Sequence, residues 1–208
     1  MTKHEIQTTD KGIFFDVQAF EHAQRLAKLF ADASMVPDHF KRNIGNCLIA
    51  LNFAARTKID PFMCMQNMYV VAGRPGIESK FAIALVNGSG KFSPLQYELN
   101  DDKTACHCYA TRKADDEKCV GPTVSIEMAK AEGWMQKKGS KWQTMPELML
   151  RYRAAMFWAR TYAPETLLGM LTVDELTDVY DVEKNKNGTF EVVSPADELT
   201  EKLHGGDS

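Results

Sequence analysis

"RYRAAMFWAR", residues 151–160, directly follows "WQTMPELML" and decides how the rest of the chain is read. Pro146 opens a helix at its first turn, where a missing N–H costs nothing, and Pro164 closes it. At about 100° per residue, Leu148, Tyr152, Ala155, Ala159 and Tyr162 fall on one side, with Met149, Met156 and Phe157 on the other. The helix is therefore apolar around most of its circumference, as a buried helix is. Arg153 and Arg160 interrupt that surface, about 10 Å apart on one face. A buried guanidinium without a partner costs several kcal/mol. Each arginine must meet a carboxylate, carbonyl oxygens or an anion brought from outside. Glu127, Glu147 and Glu165 are the internal candidates. The sharper expectation is a groove-facing pair that grips phosphates, because arginine's planar fork suits phosphate oxygens.

Upstream of this helix, residues 92–126 read as a meander. In "LQYEL", Leu95, Tyr97 and Leu99 alternate onto one face, "NDDK" turns, "TACHCYATR" alternates again, and "KADDEK" turns back into "CVGPTVSI". A short helix near 126–132 and a polar, basic loop, "WMQKKGSKWQT", lead into the long helix. Further back, Asp16 caps a helix to about Ala33, with Phe20, Ala23, Ala27 and Phe30 on its apolar face. Ile44, Cys47, Leu48, Leu51 and Ala55 mark a second helix. A strand at 68–72 with a tight turn at "GRPG" comes next, followed by a short helix capped by Ser79 and ended by "NGSG". Beyond the long helix, Thr172 and Glu175 form a capping box for a last short helix. Strands clustered before the main helix predict an α+β fold. A small, mainly antiparallel sheet (hairpin plus three-stranded meander) packs on the long C-terminal helix, with helices at the N-terminus. The organisation expected is an N-terminal arm at 1–15, one core domain at 16–182 and a disordered acidic tail at 183–208.

Composition bounds the function. With 208 residues, 44% hydrophobic and 25% charged, the chain suits one soluble domain. No apolar run approaches the roughly 20 residues of a membrane span, and the N-terminal residues lack the apolar core of a secretory signal. A cytoplasmic location is expected. Of 28 acidic and 25 basic residues, seven and three lie from Asp181 onward, leaving 21 and 22 in residues 1–180. That near-neutral core is compatible with a basic groove.

Catalytic motifs are weak. "GSGK" at Gly88–Lys91 has Leu85 and Phe92 where a phosphate loop needs glycine and Ser or Thr, and it follows a helix instead of preceding one. The pairs Asp101-Asp102 and Asp115-Asp116 fall in hairpin turns, where acids are ordinary. Cys106, Cys108 and Cys119 do not have the usual zinc spacing and read as alternating strand residues. A metal-dependent enzyme using those cysteines is the alternative reading, and a self-assembling adaptor with Met-rich surfaces another. The basic positions point elsewhere. Lys137, Lys138 and Lys141 crowd a loop flanked by Trp134 and Trp142. Arg112 and Lys113 end a strand, Arg74 tips a turn, and Lys80 opens a helix. Cations interleaved with aromatic rings suit single-stranded nucleic acid, whose phosphates meet the cations and whose bases stack on the rings.

"IDPFMCMQNMYVV", "GRPGIESKFAIALVNGSGKF", "WQTMPELMLRYRAAMFWAR" and "DELTD" occur in that order. Together they resemble the RecT / lambda Red beta superfamily of phage recombinases, from about Arg42 to Asp178. The resemblance implies a single-strand annealing core that pairs complementary DNA strands without ATP, cofactor or catalytic residue, as rings or helical filaments. The implied partners are single-stranded DNA, the annealed duplex, further copies of the chain, a phage exonuclease and a host single-strand binding protein, in a bacterial cytoplasm. Arg151, Arg153 and Arg160 fall on basic positions of the family's groove helix, and Lys80 lies near the start of the helix after the strand pair. Glu147 stands where the lambda protein is basic.

Overall fold

A computed structural model describes residues 12–187 and 189–192. The chain divides into two compact units, 1–68 and 69–208, where the sequence pattern predicts one core from 16 to 182.

The first unit is helical. Asp16 accepts from the Ala19 amide at 2.8 Å and starts α1 (Val17–Asp32), as expected of a cap. The helix buries Ala23, Ala27 and Ala31. Asn43 caps α2 (Ile44–Thr57), whose Cys47, Ala50, Leu51, Phe53 and Ala54 fill the unit's core. α2 ends on Lys58 in the left-handed region, φ 57°. Pro61 begins α3 (Pro61–Gln66), and Asp60 caps it through the Met63 amide.

β1 (Met68–Val71) leads into the second unit, and β2 (Arg74–Ile77) returns beside it. The turn is Ala72-Gly73, at φ 50° and 72°, so of the expected tip "GRPG" Gly73 turns while Arg74–Gly76 begin the return strand. Glycine is required within β2. A Cβ on Gly76 would stand 2.7 Å from Leu176 Cδ1. α4 (Ser79–Gly88) follows, with Glu78 at its cap position. Ser79 is not the cap. It is the first helical residue, and its hydroxyl donates to Asp174 Oδ2 at 2.6 Å.

The meander forms as its alternation predicts. β3 (Gln96–Leu99), β4 (Ala105–Thr111) and β5 (Lys118–Val120) are antiparallel neighbours, and β6 (Val124–Ser125) pairs with the start of β4. Along β4, Cys106, Cys108 and Ala110 are buried while their neighbours are half-exposed. α5 (Ile126–Ala131), capped by Ser125, and α6 (Lys141–Thr144), capped by Ser140, flank the basic loop.

α7 (Pro146–Tyr162) lies across β4 and beside α4. Its Ala154, Ala155 and Ala159 are fully buried, and these small side chains allow close approach to the sheet. Trp158 anchors the contact. Its indole N–H donates to the Cys119 carbonyl at 2.9 Å, and Phe92 meets its ring edge-on at 4.9 Å. α8 (Pro164–Leu167), β7 (Leu171–Thr172) and α9 (Val173–Val179) complete the turn back, with the expected capping box between Thr172 and Glu175.

The architecture is α+β, with a second sheet richer than the expected hairpin. Its order is β7-β2-β1-β9-β8, and β7 and β9 pair in parallel with β2 and β1. Here β8 (Val182–Lys184) and β9 (Phe190–Val192) are antiparallel partners. The described part of the segment assigned to a disordered tail, 183–208, is thus partly ordered strand. Residues 193–208, and 1–11 of the expected arm, lie outside the described residues.

Candidate nucleic-acid interface

The arginines of α7 are not left waiting for an anion. Arg153 is 7% exposed. Its guanidinium donates to Asp178 Oδ2, lies 3.8 Å from Glu175 Oε1, and stacks 4.0 Å over the Trp134 ring. Arg160 holds Glu175 with both arms of its fork, Nη2 reaching Oε2 at 2.6 Å. The expectation that these guanidiniums lack internal partners is corrected. Their carboxylates come from α9, not from the candidates considered. Glu147 instead pairs with Lys103 at 3.3 Å and Arg151 at 3.6 Å, and Glu165 pairs with Lys91 at 2.5 Å.

Trp142 is also corrected. It is fully buried, 5.3 Å from the Trp134 ring centre, and its N–H donates to Asp178 Oδ2 at 3.1 Å. It has no free face for a base. Two motifs separated in sequence, the α7 arginines and the "DELTD" of α9, are therefore two halves of one charge network, buried at Arg153, Glu175 and Asp178 and reaching the surface at Arg160. The clue in the sequence was Glu175 and Asp178, three apart on one helix face and complementary to the arginine pair.

The two acids of that network titrate in opposite directions. Burial would raise the Glu175 carboxyl, but the hydrogen bonds and charge of Arg160, the Thr172 amide and the charge of Arg153 together hold it below its ordinary value. Burial pushes Asp178 up to about 6, against the pull of Arg153 and Trp142 and with help from nearby Asp174.

The remaining basic candidates are on the surface, and four of them meet one segment. Lys141 reaches Asp174 at 3.2 Å, Lys137 reaches Asp181 at 2.8 Å and Lys138 reaches Glu183 at 2.8 Å. Arg74 lies 5.8 Å over the Tyr180 ring. Lys80, paired with Glu78 at 2.5 Å, follows the Ser79 that is bonded to Asp174. The three lysines and Arg74 thus border residues 174–183, while Lys80 stands on α4 beside Glu78. Arg112 and Lys113 belong elsewhere, at the end of the meander. There Arg112 meets Asp115 at 2.9 Å and Glu117 at 2.5 Å, and the Lys113 amide donates to the Lys91 carbonyl. Arg151 sits apart from both groups, half-exposed beside Glu147.

The cysteines give no reactive centre. Cys106, Cys108 and Cys119 are buried and unpaired by disulfides. Burial pushes the Cys108 thiol up to about 12 and raises Cys106 as well, so both hold their protons at neutral pH. Among the described residues, no three His, Cys, Asp or Glu side chains converge as a metal site requires. No described helix is long and apolar enough to cross a membrane.

These features define an α+β protein whose long helix is locked to its C-terminal segment and whose three loop lysines pair with that same segment. Residues 87–188 match the RecT family, which supports a place in the superfamily of single-strand annealing proteins. The match runs from the end of α4 to the last sheet hairpin, so it contains the meander, the basic loop, α7 and α9. It places the chain among proteins of phage-type single-strand annealing recombination. No curated protein matches the sequence.

Proposed function

We propose that the chain binds single-stranded DNA and anneals complementary strands without ATP, as an oligomer and without a catalytic residue. The carrying observation is the family match across 87–188, which encloses the cationic loop and the helix that supports it. Lys137, Lys138 and Lys141, with Arg74 and Lys80 beside them, make the principal phosphate contacts. Arg112, Lys113 and Arg151 extend the path. Arg153 and Trp142 act from inside, and Arg160 from the surface through Glu175, by fixing α9 and the loop on α7.

Exposed ion pairs are each worth about 0–1 kcal/mol, so a phosphate can take a lysine from its carboxylate at little cost. A strand held by its backbone leaves its base edges open, and a complementary strand then supplies the sequence recognition. Neighbouring subunits prolong the path, in a bacterial cytoplasm where a phage exonuclease exposes the strands and the host single-strand binding protein covers them.

The test mixes the protein with a labelled oligonucleotide, then its complement, in the absence of nucleotide. Pairing faster than the spontaneous rate is expected, with log affinity falling by about 0.7 per neutralised phosphate for each unit of log salt. Failure to bind at low salt, or annealing that needs ATP, would overturn the proposal.

A further inference from the structure

Each of the loop's three lysines meets a carboxylate from one short segment. Lys137 donates to Asp181 and Lys138 to Glu183, both at 2.8 Å, and Lys141 donates to Asp174 at 3.2 Å. The segment thus offers carboxylate oxygens where a DNA strand would offer phosphate oxygens. Its two ends differ. Asp174 is largely covered and also accepts the Ser79 hydroxyl at 2.6 Å, so it is tied to α4. The side chain of Asp181 is 71% exposed and that of Lys138 is 84% exposed, so the outer pairs face water. Such pairs are weak and exchange readily.

We propose that Asp181 and Glu183 form an autoinhibitory strap, which occupies the cationic loop until the phosphates of a strand displace it. The inference rests on the DNA-binding reading above. Displacement is an exchange of one anion for another. A short polyanion that replaces a single carboxylate gains little, whereas a long strand replaces both and covers Arg74 and Lys80 as well. The strap therefore favours extended strands over short ones. It also masks part of the salt dependence, because salt weakens the lysine–carboxylate pairs that compete with the strand.

The test compares full-length parent protein with an Asp181→Asn, Glu183→Gln double variant, binding labelled oligothymidylate across a salt titration. The variant is expected to bind roughly three- to ten-fold tighter. Its salt slope should be steeper than the parent's, because no salt-sensitive competitor remains. Neutralising Asp101 and Asp102, exposed acids in the meander turn, controls for net charge. An equal gain from that pair overturns the strap, as does unchanged affinity and slope in the strap variant while Lys137→Ala, Lys138→Ala loses affinity. If the lysine variant binds like the parent, the loop is not the DNA site, and the strap falls with that reading.

Discussion

Two sets of opposite charges meet along residues 174–183, and burial separates what they do. Inward, Asp178 and Glu175 hold Arg153 over the Trp134 ring, and Glu175 also takes the half-exposed Arg160. Outward, Asp181 and Glu183 hold Lys137 and Lys138 at the solvent boundary, with the largely covered Asp174 holding Lys141 between the two sets. The charges are of the same kind. Taking a charge out of water costs so much that a buried pair cannot give up one member without exposing the other's desolvation penalty. A solvated pair simply exchanges partners. The inner set therefore works as a lock and the outer set as a replaceable cover.

The comparison breaks most decisively at its inner end. Arg153→Ala leaves Asp178 and part of Glu175 buried without their cation, and a loss of about 3–5 kcal/mol is expected in urea unfolding. A loss below 1 kcal/mol would mean that the network is solvated like the outer one.

The next effect is pH-dependent. Asp178 is raised in the folded chain from 3.8 to about 6. Its stabilising contribution is complete below the unfolded value and is lost as pH climbs through about 6, a change of about 3 kcal/mol at most. Glu175 is lowered and acts in reverse, contributing above its ordinary value and losing that contribution as pH falls through its folded value. Asp178→Asn keeps an oxygen for the Trp142 N–H but removes the titration. Between pH 4 and about 6.5, unfolding free energy should rise more steeply with pH in the variant than in the parent. Identical slopes would show that Asp178 titrates normally.

The smallest effect sharpens the contrast. Lys138→Ala, at the most exposed of the pairs, should change stability by no more than about 0.5 kcal/mol. Thermal melts of this variant beside Arg153→Ala would place the two sets on one scale.

The legible parts of the fold were those whose signals are local. Alternation exposed the meander, because a strand buried on one face repeats every two residues. Pro146, Pro164, Asp16 and the Thr172–Glu175 box marked helix ends, because caps are short-range chemistry. The five-stranded sheet was not legible. Its parallel pairs join Gly76 to Leu171 and Val71 to Phe190, and two- or three-residue strands carry no period of their own. For the same reason the tail looked unstructured. Legibility at the candidate interface followed the same division. The lysine loop was visible from composition, but its pairing with Asp174, Asp181 and Glu183 was not. The fate of Arg153 depended on acids up to 25 positions away, on a helix whose packing no local pattern specifies.

The C-terminal hairpin has one further consequence. In the order β7-β2-β1-β9-β8, it is β9 that satisfies one side of β1. A chain cut after Tyr180 would bare the amides and carbonyls along that margin, a template onto which any extended segment can add. Trimming the acidic end would exchange a soluble terminus for an adhesive one, and clumping caused by the cut could pass for assembly on DNA.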